Sequence, residues 1–145
     1  MAGRIGGPKT RNGGTWTEAR FRSFIRSQLR AASMRWAPIS KALAKAKVAR
    51  GFYHCAACGE DVPLTTRQGR KRIKNVRVDH INPIVDPAVG FVDWDMLIER
   101  MFCEEDNLQV LCHSCHEIKT NEEKAIAKAR RGNAAAQEQE ETDDE

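Results

Sequence analysis

Long apolar runs are missing from this 145-residue chain. No stretch approaches the roughly 20 residues that cross a bilayer as a helix, and the N-terminus has no apolar core of the kind a secretory signal carries. Aromatics are scarce at 6%, and mean hydropathy is -0.59. A chain of this size is expected to form one domain with tails and a modest core. Burial alone would stabilise it weakly, and a structural metal is a natural supplement. Acids are nearly missing from residues 1–50, which carry twelve Lys/Arg against Glu18 alone. Basic residues are missing beyond Gly132, where six acids stand. Such polarity points to a polyanion partner, with nucleic acid the first candidate, the plainer reading being a soluble basic surface. The protein is expected in the cytoplasm, where paired cysteines bind metal more often than they form disulfides.

Residues 1–14 hold five glycines and three basic residues and read as a flexible basic arm. Thr15-x-x-Glu18 has the form of a capping box. It opens a helix whose Phe21, Phe24, Ile25, Leu29 and Ala32 recur at helical spacing. Arg22, Arg26 and Arg30, four apart, form a ridge beside that stripe, suited to phosphates or to solvent. Pro38 fits the first turn of a second helix with Ile39, Ala42, Leu43 and Ala46 inward, and Gly51 fits its stop. Residues 15–50 are therefore expected to be a basic helical extension, a hairpin that packs on the downstream module and helps hold DNA.

Two pairs, Cys55-x-x-Cys58 and Cys112-x-x-Cys115, make a four-thiolate set suited to a structural Zn²⁺. Their separation is larger than in a simple zinc ribbon, so folded structure must lie between. That interval opens with a basic turn around Gly69 (Arg70, Lys71, Arg72). A strand carrying Ile73, Val76 and Val78 comes next and ends in Asp79-His80-Ile81-Asn82-Pro83. Pro83 ends the ladder. Adjacent strand residues point to opposite faces, so Asp79 and His80 share a site only if the strand bends at its end. Residues 84–106 form a long connection in which Asp93 caps a short helix with Trp94, Leu97, Ile98 and Met101 apolar. Setting specificity, contacting a partner and only covering the core are the roles open to this insert, and the last is the one expected. Cys103, the leftover cysteine, is expected to pack as a small apolar residue.

The second cysteine pair sits inside Asp106–Thr120, DNLQVLCHSCHEIKT, a short apolar strand running into a helix with His116 directly behind Cys115. Asp79 offers a hard oxygen ligand, and His80 can be neutral near neutral pH and accept a proton. Thr120-x-x-Glu123 reads as a further capping box, opening a last helix to about Arg131. Residues 132–145 read as an acidic, disordered tail.

The segments CAAC, VDHINP, EDNLQVLC and HSCHEIKT, in this order over about Cys55–Glu123, resemble the HNH endonucleases. The chain is similar to the small four-cysteine HNH proteins of tailed bacteriophages. The resemblance implies an α+β chain with a ββα-metal core stapled by a four-cysteine zinc over residues 51–131. It implies a metal-dependent DNA endonuclease, nicking or cutting both strands, in the host cytoplasm if phage-encoded. It gives His80 the role of general base, Asp79 and His116 those of ligands to one catalytic Mg²⁺ or Mn²⁺, and Asn107 that of holding the loop that carries His80. His113 is the alternative to His116 as ligand. Arg22, Arg26, Arg30, Arg70, Lys71, Arg72 and Lys119 are the candidate DNA contacts. A monomer would nick, whereas a homodimer, with the apolar stripes of residues 15–50 as its surface, would set two sites on opposite strands. Phage packaging proteins, a terminase or a portal, are further candidate partners. The alternative reading is a zinc-stapled nucleic-acid- or protein-binding module without cleavage activity.

Overall fold

The computed structural model describes residues 6–143, with side chains through residue 137. The chain is mixed α+β with small antiparallel sheets, and it divides into two compact units, residues 1–36 and 37–145. No helix among the described residues is long and apolar enough to cross a membrane.

In the first unit, β1 (Lys9–Arg11) pairs antiparallel with β2 (Trp16–Thr17). The turn between them puts Asn12, Gly13 and Gly14 at φ of 52°, 65° and 78°, where glycine is at no disadvantage. The arm expected to be flexible over residues 1–14 is therefore a hairpin from Lys9 on, and residues 1–5 lie outside the described residues. The helix α1 (Glu18–Ser33) is capped by Thr17, whose Oγ1 accepts from the Arg20 amide at 3.2 Å. Thr15 is not the cap. Its hydroxyl donates to the Asn12 carbonyl at 2.7 Å, and Glu18 ion-pairs with Arg11 at 2.8 Å. The hairpin thus claims both halves of the expected capping box. Arg11 also lies over the Phe21 ring at 4.2 Å.

The second unit begins with α2 (Ala37–Ala46), where Ile39, Ala42, Leu43 and Ala46 are all half-buried and Lys41 and Lys45 are exposed. The helix stops at Ala46, and the chain goes on as β3 (Lys47–Ala49). Gly51, at φ 79°, turns β3 into β4 (Phe52–His54) and does not end the helix. With β5 (Asp61–Pro63) these strands form a three-stranded sheet in the order β3-β4-β5. Next, β6 (Thr65–Gln68) and β7 (Lys71–Lys74) make a two-stranded ribbon. Asn75 separates it from β8 (Val76–His80), so the basic turn and the Asp-His end lie on different strands. Asn75 performs the break. Its amide donates to the Leu64 carbonyl, its side chain donates to the Pro63 carbonyl, and its own carbonyl accepts from the His113 amide.

The connection after β8 holds α3 (Trp94–Met101), with Asp93 as its cap: Oδ1 accepts from the Met96 amide at 2.7 Å. A 3₁₀ turn (Glu105–Asn107) leads into β9 (Leu108–Cys112), and α4 (His113–Asp143) continues without a break. β8 and β9 pair antiparallel from Val76↔Cys112 to His80↔Leu108. α2 and α4 both pack on β9, which explains why every residue of that strand except Gln109 is buried. Leu97 and Met101 of α3 are as fully buried as Val76 and Leu111 of the central hairpin. The 84–106 insert therefore supplies core and does not merely cover it.

Two expectations about the C-terminal region fail. Thr120 lies inside α4 and opens no helix, because the helix already begins at His113 between the paired cysteines. Residues 132–143, expected as disordered, continue that helix, and residues 144–145 lie outside the described residues. Alanine, glutamine and glutamate are strong helix formers, and a helix already nucleated extends one residue at a time. Charge and low hydropathy remove the need for a core, not the helix.

Candidate metal centres

The four sulfurs of Cys55, Cys58, Cys112 and Cys115 all lie within 4.8 Å of one another. Sulfurs on a tetrahedral zinc at ~2.3 Å would stand roughly 3.8 Å apart, so the cluster fits such an ion after a contraction of about 1 Å at most. Local backbone chemistry builds this cage. In the Cys55–Cys58 knuckle the Gly59 amide donates to the Cys55 carbonyl at 2.9 Å, with Gly59 at φ 74°. The Cys55 amide donates to the Glu60 carbonyl, and the Ala56 amide to that of Val110 on β9, both at 2.9 Å. The other pair spans the junction of β9 and α4, so an ion held here would tie knuckle, strand and helix together.

The thiols differ in acidity. Burial raises Cys55, but the backbone amides of Cys58, Cys112 and Ala57 favour its thiolate and bring it down to about 6. The Cys112 amide donates to that sulfur at 3.3 Å. Cys115 is pushed up to about 12, first by its hydrogen bond with Cys112 and then by burial. Cys58 is also raised: the Glu60 amide favours its thiolate, but Cys55 and burial outweigh that. One thiolate forms readily and opposes the next. A divalent ion lifts that restriction, since metal binding takes the protons off its ligands.

The second centre lies at the other end of β8. Its Asp79 is nearly buried, with the side chain 13% exposed. Oδ1 of Asp79 stands 3.8 Å from Nε2 of His116, which projects from the first turn of α4. Oδ2 accepts from Gln109 Nε2 at 3.0 Å and from Lys119 Nζ at 2.6 Å. The Lys119 ammonium also donates to the His80 carbonyl at 2.6 Å and pairs with Glu123 at 3.2 Å. His116, Lys119 and Glu123 recur at helical spacing, so one face of α4 supplies all three. Two ligands at ~2.1 Å from an octahedral ion stand about 3.0 Å apart at right angles and up to about 4.2 Å apart when opposite. The observed 3.8 Å lies between these two values, so an ion would draw the pair together by about 0.8 Å to reach the right-angle arrangement. His113 faces Glu117 at 3.6 Å instead, so His116 is the imidazole that meets Asp79.

The His80 ring is held from the α3 side, with Nε2 2.9 Å from the Met101 carbonyl. A carbonyl only accepts, so Nε2 carries the proton and, in a neutral ring, Nδ1 keeps the lone pair. Among the described residues no hydrogen bond or ion pair joins the His80 ring to Asp79 or His116. Asn107 pins the turn after β8 with both ends of its amide: Oδ1 accepts from the Asn82 amide at 2.9 Å, and Nδ2 donates to the Asn82 carbonyl at 3.3 Å. The Ile81 amide donates to the Asn107 carbonyl at 2.8 Å. Arg100 adds a bond to the Pro83 carbonyl at 2.7 Å.

The candidate DNA contacts divide. Arg22, Arg26 and Arg30 are exposed on α1, while Arg70, Lys71 and Arg72 are exposed around the β6–β7 ribbon. Lys119 is committed to Asp79, His80 and Glu123 and does not extend as a free phosphate contact. Sequence reasoning missed Gln109 and the Met101 carbonyl. Gln109 was recoverable only from strand register, as the residue opposite Asp79. The Met101 carbonyl carries no side-chain signal at all. Comparison with protein-family models, with curated proteins and with solved structures finds no match for this chain.

Proposed function

We propose that this protein is a metal-dependent DNA endonuclease of the HNH type, hydrolysing phosphodiester bonds with His80 as general base and one divalent ion between Asp79 and His116. The observation that carries this reading is the 3.8 Å approach of Asp79 Oδ1 to His116 Nε2, beside a β8 end pinned by Asn107 and Met101. The antiparallel β8–β9 pair running into α4, next to a four-sulfur cluster suited to Zn²⁺, supports the ββα-metal assignment.

When bound, Mg²⁺ or Mn²⁺ would neutralise charge on the reacting phosphate and stabilise the departing oxygen. The chain supplies the rest. The Nε2–H···O=C bond to Met101 fixes the His80 tautomer and leaves Nδ1 to take a proton from the attacking water. Asn107 holds the residues just after His80, so the ring keeps its direction while a substrate binds. DNA affinity has a source in the ribbon. Between Asp61 and Asp79 stand six basic residues and no acid. Arg67 faces Arg72 directly across β6–β7, a like-charge pair that costs stability until a polyanion covers it.

The second reading is a zinc-stapled nucleic-acid- or protein-binding module that does not cut. One observation favours it: the Lys119 ammonium already neutralises one oxygen of Asp79. A plasmid assay with zinc-loaded protein separates the two. Nicked or linear product in Mg²⁺ or Mn²⁺, lost in EDTA and in His80→Ala, is expected. DNA binding that persists in EDTA with no cleavage under any ion would favour the binding module. Sedimentation of the same sample reports whether a dimer accompanies linear product.

A further inference from the structure

The two oxygens of Asp79 keep different company. Oδ2 is saturated by two donors, Gln109 Nε2 at 3.0 Å and Lys119 Nζ at 2.6 Å, whereas Oδ1 is left facing His116. The donors arrive from separate elements. Gln109 is the register partner of Asp79 on β9, and Lys119 lies one turn beyond His116 on α4. Lys119 is itself anchored by the His80 carbonyl and by Glu123, and its side chain is only 24% exposed. An ammonium hydrogen-bonded to two oxygens and ion-paired with a third in a half-buried site does not leave it readily, because the two hydrogen-bonded oxygens would lose their donor away from bulk water.

From this arrangement we infer that Gln109 and Lys119 are positioning residues that hold Asp79 as a one-oxygen ligand and so select small octahedral ions over calcium. The inference rests on the reading of Asp79 and His116 as the divalent-ion site. Ca²⁺ takes six to eight oxygens at about 2.3–2.6 Å and often grips a carboxylate through both. Mg²⁺ keeps octahedral geometry at about 2.0–2.1 Å and is satisfied by single oxygens and water. Two-oxygen binding at Asp79 would break a charged hydrogen bond and press a divalent ion against Lys119. The imidazole of His116 tilts the site further from calcium, which favours oxygen donors alone. The clamp also bonds the His80 carbonyl, so the element that shapes the ion site steadies the strand end that carries the base.

The test uses the full zinc-loaded chain without DNA. Mn²⁺ binding is measured by electron paramagnetic resonance of the free ion, and Ca²⁺ is then added as competitor. Asp79→Asn should abolish the Mn²⁺ site. In Lys119→Met, Ca²⁺ should displace Mn²⁺ at a concentration about tenfold lower than in wild type, in line with the 10–100-fold effects of residues that orient metal ligands. Gln109→Leu should move the preference the same way by a smaller factor, and Lys119→Arg, which keeps a cationic donor on Oδ2, should restore it. Zinc content and thermal unfolding establish that each variant folds. An Mn²⁺/Ca²⁺ preference unchanged in both Lys119→Met and Gln109→Leu overturns the clamp while leaving the ion site standing. Mn²⁺ binding equally tight in wild type and Asp79→Asn overturns the ion site and the clamp together.

Discussion

The two candidate metal centres are built on opposite principles. The cysteine cluster has four donors of one kind, two of them buried, from a knuckle and a strand–helix junction that backbone hydrogen bonds already hold together. The Asp79–His116 pair brings together two donors of different kinds, with His116 one-third exposed, and an ion held there would take its other ligands from water or phosphate. A four-coordinate thiolate site is closed and serves the fold, whereas a site with open positions can exchange ligands and serve a reaction. Both lie along the β8–β9–α4 unit. Cys112 stands opposite Val76 at the start of β8, while Asp79 lies toward its end.

That contrast can be broken in the cysteine cluster with the largest effect. Structural zinc contributes about 10–16 kcal/mol of binding free energy in small zinc modules at neutral pH, as much as the whole stability of many domains. Cys112→Ser should therefore abolish stoichiometric zinc and cooperative thermal unfolding, read by metal analysis and circular dichroism. Survival of a sharp transition would mean the hairpin needs no anchor. His80→Ala should do the reverse. Plasmid cleavage should fall by about 10²–10⁴-fold, as for loss of a general base, with zinc content unchanged and stability lowered by only about 1–3 kcal/mol, the cost of leaving the buried Met101 carbonyl without its donor. A parallel loss of zinc would show that the two centres do not act independently.

Asn107→Ala should act on an intermediate scale. It removes both bonds to Asn82, and at about 0.5–1.5 kcal/mol per bond should cost roughly 1–3 kcal/mol in urea unfolding. Cleavage should slow by more than that destabilisation explains, and Asn107→Asp, which keeps the acceptor for the Asn82 amide, should lie between. The smallest effects belong to the ribbon. Arg67→Ala and Arg72→Ala should each reduce the salt-dependence slope of DNA binding by about 1. Stability should stay level or rise by a few tenths of a kcal/mol as the cross-strand repulsion is relieved. A slope that does not move would place the DNA elsewhere.

Features carried by local chemistry were legible in the sequence. The four cysteines come together as their spacing implies, Asp93 caps α3, and α2 keeps its lysines outward as its period requires. Capping boxes misled twice because a cap is defined by where the backbone turns, and neighbours decide that. At Thr15 a hairpin takes the hydroxyl for its own turn, and at Thr120 the helix has already begun seven residues earlier. Gly51 misled for a related reason: positive φ serves a strand turn as well as a helix end. The insert was expected only to cover the core, yet Leu97 and Met101 are among the most buried of the described residues.

The sequence alone determined which atoms are available: four sulfurs in two pairs, two imidazoles, one carboxylate and a long run of positive charge without acids. These come from residue identity and short spacing, which the chain cannot alter by folding. How those atoms are shared was settled by the folded chain. Strand register set Gln109 opposite Asp79, a helix turn brought Lys119 onto the same oxygen, and the end of α3 offered a carbonyl to His80. Those choices depend on contacts between residues 21 to 40 positions apart. They arise where elements that bury Val76, Leu97, Met101 and Leu111 meet, and no segment's own preference encodes them.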